Sequence, residues 1–241
     1  MGQILKIVAV VVGIIVIFLV LTVGYYGLVP GISTIMRADK PRDLGISYTE
    51  QDRLNGRAKI NWQLEELPSS LPPEQSLIYS GQKDVTASFS SQELTAWLDN
   101  NWKYTPITNA QIKISQDNTI EMSGILHTDR IETYARVMHA PEDFYSTLMN
   151  YHWLFIGKPP IYIKVSATIT HNIAQAKIYK FQIGRFSISP DLLSQNNNIF
   201  TEAAEWQIKS IPGLNIRSLS FKNGFTEFDG TLPAVISRVI E

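Results

Sequence analysis

Hydrophobic and polar positions follow three rhythms along this chain. The first is no rhythm at all: IVAVVVGIIVIFLVLTVGYYGL, Ile7 to Leu28, is apolar throughout and carries no charge. A helix hydrophobic around its whole circumference has no face for water. Its 22 residues, at about 1.5 Å each, reach about 33 Å and cover a hydrocarbon core of about 30 Å. The run ends in Tyr25, Tyr26, Gly27, Leu28, Val29 and Pro30 rather than at small residues of A-x-A type. It therefore predicts an uncleaved, single-pass signal-anchor, with the tyrosines at headgroup level. Flanking charge leaves the orientation open. Lys6 abuts the run on one side, while Arg37, Lys40 and Arg42 on the other are interleaved with Asp39 and Asp43.

The second rhythm, period two, marks strands. DVTASFS sets Val85, Ala87 and Phe89 on one face, and AQIKIS and TIEMSGIL form a hairpin around Asp117-Asn118. IYIKVSATIT puts Ile161, Ile163, Val165, Ala167 and Ile169 on one face and Tyr162, Lys164, Ser166, Thr168 and Thr170 on the other, predicting one buried and one wetter side. After a turn at His171-Asn172, the parity of IAQAKIYKFQIGRFSIS switches near Ile178-Tyr179 and again near Gly184, which predicts bulges and a curved sheet. An Asn223-Gly224 hairpin should pair Leu219 with Phe228 and Phe221 with Thr226.

Helical spacing is the third rhythm. Thr49 with Asp52 caps a helix to about Trp62, Ser90 with Glu93 opens SQELTAWLDNNW, and Thr128 caps DRIETYARVMH. PEDFYSTLMNYHWLF starts at Pro141 and is stopped by GKPP; a last helical stretch opens at Ser189-Pro190, breaks at Asn196 to Asn198, and ends before Pro212-Gly213. LPSSLPPEQS, Leu67 to Ser76, reads as an extended connector. Hairpins with helices between them predict an α+β fold: an N-terminal transmembrane helix, then a curved, mainly antiparallel sheet with helices packed on one side. The expected divisions are 1–36 for tail and anchor, 37–76 for a juxtamembrane helix and Pro-rich connector, and 77–241 for the α+β domain.

Charge and motif content narrow the chemistry. Only Lys6 precedes residue 37, so the rest carries 20 Lys and Arg against 22 Asp and Glu, no footprint for nucleic acid. With no cysteine, a disulfide framework, a thiolate metal site and lipidation through cysteine are excluded. Lys6 stands where a myristoylation signal needs Ser or Thr. No nucleophile elbow and no glycine-rich phosphate cradle occurs. Among His127, His139, His152 and His171 there is no i,i+4 pair; His127-x-Asp129 reads as a turn or cap histidine, and Glu65-Glu66 and Glu142-Asp143 as solvated or dipole-facing acids. No catalytic residue, cofactor or metal is expected.

The aromatic run from Phe144 to Phe155 either packs on the sheet or closes over an apolar ligand. In the second case Phe144, Trp153 and Phe155 gate a groove walled by Ile161, Ile163, Val165, Ile178 and Ile183. The order of an N-terminal span, VTASFSSQELTAWLDNNW, AQIKISQDNTIEMSGIL, IYIKVSATITHNIAQAKIYKFQIGRFSISPDLL and a late FTEFDGTLP resembles small bacterial membrane-anchored proteins of the YpmS type. It is similar, more distantly, to LmeA-like envelope proteins. The resemblance covers about residues 83 to 233 and implies an extracytoplasmic curved sheet with helices on its concave side and lipid binding in part of the group. The insert from Phe144 and the stretch Leu67 to Ser76 depart from the shorter YpmS-like pattern. The expectation is a non-enzymatic, membrane-anchored envelope domain that meets the bilayer and binds a lipid, an acyl chain or another apolar ligand. The alternative is a scaffold contacting other membrane or envelope proteins; an enzyme ranks third.

Overall fold

Segments with period-two patterning assemble into one eight-stranded sheet in the computed structural model. It describes residues 2–27, 31–99, 102–142, 157–195 and 197–241 and, within these, the side chains of all but 2–11, 194–195 and 197–200. Its strands are β3 (Lys83–Ser90), β4 (Ile107–Ile114), β5 (Ile120–Leu126), β6 (Pro160–Thr170), β7 (Ile173–Ile183), β8 (Phe186–Ser187), β9 (Asn215–Lys222) and β10 (Phe225–Leu232). Their order is β3-β10-β9-β6-β5-β4, with β7 on β6 and β8 on β7, every pair antiparallel. β6 holds β7 along one edge; its other edge carries β5 up to Val165 and β9 at Ile169 and Thr170. Sharing one edge between two strands helps the sheet curl into a half-barrel. A second sheet, β1 (Gln63–Glu66), β11 (Val235–Arg238) and β2 (Leu77–Ser80), runs in the order β1-β11-β2 with β1 parallel to β11.

Local chemistry sets these elements. Lys164 pairs with Lys180 but Val165 with Ile178, so Tyr179 is the extra residue of a bulge, where the apolar parity changes. The hairpin turns sit in left-handed backbone at Asn118, at His171 and Asn172, and at Asn223 and Gly224. Leu219 faces Phe228 and Phe221 faces Thr226. Among the described residues the helices are α1 (Gly2–Tyr25), α2 (Ile32–Ile35), α3 (Glu50–Ile60), α4 (Ser91–Leu98), α5 (Thr128–Val137), α6 (Pro190–Gln195) and α7 (Asn197–Ser210). Reciprocal capping boxes open α3 at Thr49/Asp52 and α4 at Ser90/Glu93.

Several elements differ from expectation. α4 stops at Leu98 because Trp102, 3% exposed, is drawn into a bridge with Ile240. Thr128 does not cap α5; its hydroxyl donates to the Gly157 carbonyl at 2.6 Å, and His127 occupies the cap position. The Pro-rich stretch contains a 3-10 turn, Pro73–Gln75, and the strands on either side of it both pair with β11. Residues 37–76 are thus woven into the domain. Tyr162 is buried although it lies on the face expected to be wetter. The chain around Arg42 and Leu44 straps that convex face. Arg42 stacks over the Tyr162 ring at 3.9 Å and donates to Gln182, while the Leu44 amide donates to Gln111.

The end of α1 is tied to the turn between β7 and β8. The Arg185 amide donates to the Tyr26 carbonyl at 2.9 Å, its guanidinium lies 4.7 Å from the Tyr25 ring centroid and bonds the Met36 carbonyl, and Tyr26 meets Phe186 edge-on. Gly184, at φ +59°, permits this: a Cβ there would stand 1.8 Å from the Tyr26 carbonyl oxygen. Among the described residues no helix is long and apolar enough to cross a membrane. The expected span, Ile7 to Leu28, runs past the residues of α1 whose side chains are described, at both ends.

Helices cover the concave face. α7 packs on β7, and its Ile208 joins a buried core with Ile60, Val85, Phe89, Ile216 and Phe228. The convex face of β3, β10 and β9 is polar. There Arg217 holds Asp229 through Nε at 3.0 Å and Nη2 at 2.7 Å, while Asp84 takes Nη1 at 2.7 Å. Hydrogen bonds from Arg217, then Thr86, lower the Asp229 carboxyl to about 2 from its ordinary 3.8. A depressed folded-state value means this contribution to stability is present above the unfolded value and is lost as pH falls from about 4 to 2. Asp229→Asn should therefore lower the denaturant midpoint near neutral pH and flatten its fall across that acid window relative to the wild-type chain. Parallel pH profiles of the two proteins would refute the linkage.

Candidate functional site

Period-two alternation aims apolar side chains at the concave side of the half-barrel, yet the domain does not fill the space they enclose. A cavity of about 500 Å³ lies there. One wall is the sheet: Phe89 of β3, Phe228 of β10, Ile216 and Leu219 of β9, Met122 of β5, and Ile107 and Ala110 of β4. Opposite stand Ile60 of α3, Leu94 and Trp97 of α4, and Leu64, Leu77 and Ile236 of the small sheet, with Tyr134 of α5 and Ile211 beyond α7 at the sides. Ile107, Met122, Leu219, Leu64 and Leu77 are only half-buried although they point inward. Well-packed interiors leave few voids larger than a water molecule, so this interior is hollow rather than merely loose. Its volume lies in the range of small-molecule sites, about 300–1,000 Å³.

The groove expected from sequence is displaced. Ile161, Ile163, Val165, Ile178 and Ile183 do share one sheet face, with Ile161 opposite Ile183 and Val165 opposite Ile178. None of the five lines the cavity. Ile161 and Ile183 are buried, and α6 and α7 pack on β7 beside them. The hollow begins one strand over, at Met122, the register partner of Ile163. Phe144, Trp153 and Phe155, the expected gate, lie outside the described residues. His127 is buried, with Nε2 at 2.8 Å from the Thr108 hydroxyl and Nδ1 at 3.9 Å from Asp129. Among the described residues no group of three side chains is placed to hold a metal ion.

No protein family, curated protein or solved structure matches this chain. The chemistry of the cavity is what bears on function.

That chemistry is apolar with a charged end that the sequence pattern does not reveal. Arg53, Arg57, Arg238, Glu93 and Asp99 all contribute to the lining. Glu93, 6% exposed, pairs with Lys59 at 2.7 Å and accepts from the Ser90 amide. Asp99 accepts from the Tyr48 hydroxyl and, through its carbonyl, from Arg53. Arg53 also approaches Glu50 at 3.2 Å. Among the described residues, the guanidinium groups of Arg57 and Arg238 have no hydrogen-bond or ion-pair partner. Burial, and then the positive charges of Arg57 and Arg53, pull the Arg238 guanidinium below its ordinary value. Beside it, burial pushes the Tyr79 hydroxyl up to about 12, so it stays a neutral donor. Nothing in the helical spacing or the alternation pattern marks Arg57 or Arg238; they meet only because β11 returns to pair with β1 and β2.

A hollow and a packed core respond oppositely to bulk. Ala110→Trp should fill open volume and leave the melting temperature nearly unchanged, whereas Ile161→Trp should overpack and cost about 1–3 kcal/mol. Thermal unfolding of the two variants is the measurement. Equal loss in both would mean that the space beside Ala110 is closed.

Proposed function

We propose that this chain is a single-pass, membrane-anchored, non-catalytic domain that holds an acyl chain or similar apolar ligand in the cavity beneath its half-barrel, on the extracytoplasmic side. The carrying observation is the cavity of about 500 Å³ walled by Phe89, Phe228, Leu219 and Met122. Its walls are mostly apolar and several of them only half-buried, so without an occupant this cavity leaves apolar side chains facing water, a standing penalty. An apolar occupant removes that penalty, and each methylene buried adds about 0.8 kcal/mol.

Location supports the same reading. In the described part of α1, Ile14, Ile17 and Phe18 are each more than 60% exposed, and α2 is the element α1 packs against. A contiguous apolar helix of this kind needs a bilayer or a partner around it. The tie through Arg185 and Tyr26 then keeps the cavity close to lipid, which raises the effective ligand concentration. The sequence resemblance to YpmS-type proteins points the same way.

Two measurements test this. The full chain in polymer nanodiscs should take up a fluorescent long-chain fatty acid above the level of empty discs, and Ala110→Trp should reduce that uptake at least about tenfold while the protein stays folded. Equal uptake by wild type, Ala110→Trp and empty discs would leave the scaffold reading in its place. Membranes washed in alkaline carbonate should retain the protein with its N-terminus intact. Release by carbonate, or a mature N-terminus near residue 30, would overturn the anchor.

A further inference from the structure

Arginines at one end of a mostly apolar cavity restrict what can occupy it. Arg53 and Arg57 stand four residues apart on α3 and so share a helix face, and Arg238 reaches the same cavity from β11. The two acids of the lining are already satisfied, Glu93 by Lys59 and the Ser90 amide, Asp99 by Tyr48 and Arg53. Arg57 is exposed and Arg238 half-buried. A half-buried guanidinium beside two like charges, without an anion among the described residues, is costly; its fixed fork of N–H donors matches a carboxylate or phosphate in two-point contact. Tyr79 and the Trp62–Trp97 ring pair, with centroids 5.7 Å apart, line the same cavity, and the rings are suited to cover the first methylenes of a chain.

We infer that the ligand is an anionic amphiphile whose carboxylate or phosphate head is received by Arg57 and Arg238 while its chain runs inward along Phe89, Phe228 and Met122. This rests on the proposed apolar-ligand function and adds the charge of the ligand to it. A neutral amphiphile leaves Arg238 unpaired, and a cationic one is repelled by three arginines. At about 500 Å³ the cavity is too small for a folded partner. Free fatty acids and phospholipids both offer the required head, one as carboxylate and the other as phosphate.

The test compares a fluorescent long-chain fatty acid with its methyl ester, using the full chain in phosphatidylcholine nanodiscs with empty discs subtracted. Wild type should bind the acid at least about tenfold more tightly than the ester, with the preference shrinking as salt is raised. Arg57→Gln, a change at an exposed position, and the double variant with Arg238→Gln should bring acid and ester together by weakening the acid alone, and Arg57→Lys should restore part of the difference. Ala110→Trp should lower both. If wild type binds acid and ester equally and Ala110→Trp blocks both, the apolar site stands and the head-group assignment falls. Binding of neither probe overturns both. Displacement of the bound acid at lower concentrations of a lysophosphatidic acid than of palmitate assigns the preferred head as phosphate; the reverse assigns it as carboxylate.

Discussion

The strict alternation of β6 and its neighbours makes one face of the sheet apolar, and that face has to be kept from water. Everything else in the domain is a response to this requirement. A flat sheet could be covered by one layer of helices. This one is curled by the Tyr179 bulge and by the sharing of β6's edge between β5 and β9, so its concave face encloses volume. α6 and α7 cover the part near β7. The remainder is roofed by α3, α4 and the small sheet, which span it without filling it.

Polar contacts tie the elements of the roof together, beside the apolar packing of Ile60 and Leu94 on the core. Lys59 of α3 reaches Glu93 of α4, and Glu93 is also the capping residue of its own helix. One buried carboxylate thus fixes the start of α4 and the crossing of α3, where Gly56 brings the two backbones close. Covering both sides of the sheet also explains the strap around Arg42 and Leu44. The chain leaving α1 must cross the convex face to reach α3, and on the way it buries Tyr162, whose hydroxyl donates to Glu121 at 2.6 Å. A segment that composition marks as a mixed-charge linker therefore has a structural part.

The placement of charge follows the same division. On the convex side Arg217 is answered by Asp229 and Asp84. On the cavity side Arg57 and Arg238 are not answered within the described residues. Arg57 is exposed and solvated, whereas the half-buried Arg238 is the costlier of the two to leave without an anion.

Much of the fold was legible in the chain itself because its causes are local. The capping boxes at Thr49 and Ser90, the Asn118, His171-Asn172 and Asn223-Gly224 turns, the pairing of Leu219 with Phe228, and the bulge at the parity switch all depend on side chains within a few residues of one another. Ala110 and Met122 could likewise be assigned to the apolar face by alternation. What alternation cannot say is how far that face is from the elements opposite it. Ile161 and Met122 carry the same period-two signature, yet one is packed and the other lines a cavity, because α6 and α7 return over β7 and not over β5. Arg57 and Arg238, nearly two hundred residues apart by number, become neighbours only when the last strand inserts between β1 and β2. The sequence by itself determined which face of each strand is apolar; only the tertiary structure decided which of those faces was left unfilled, since filling depends on the distance between layers rather than on the pattern within one.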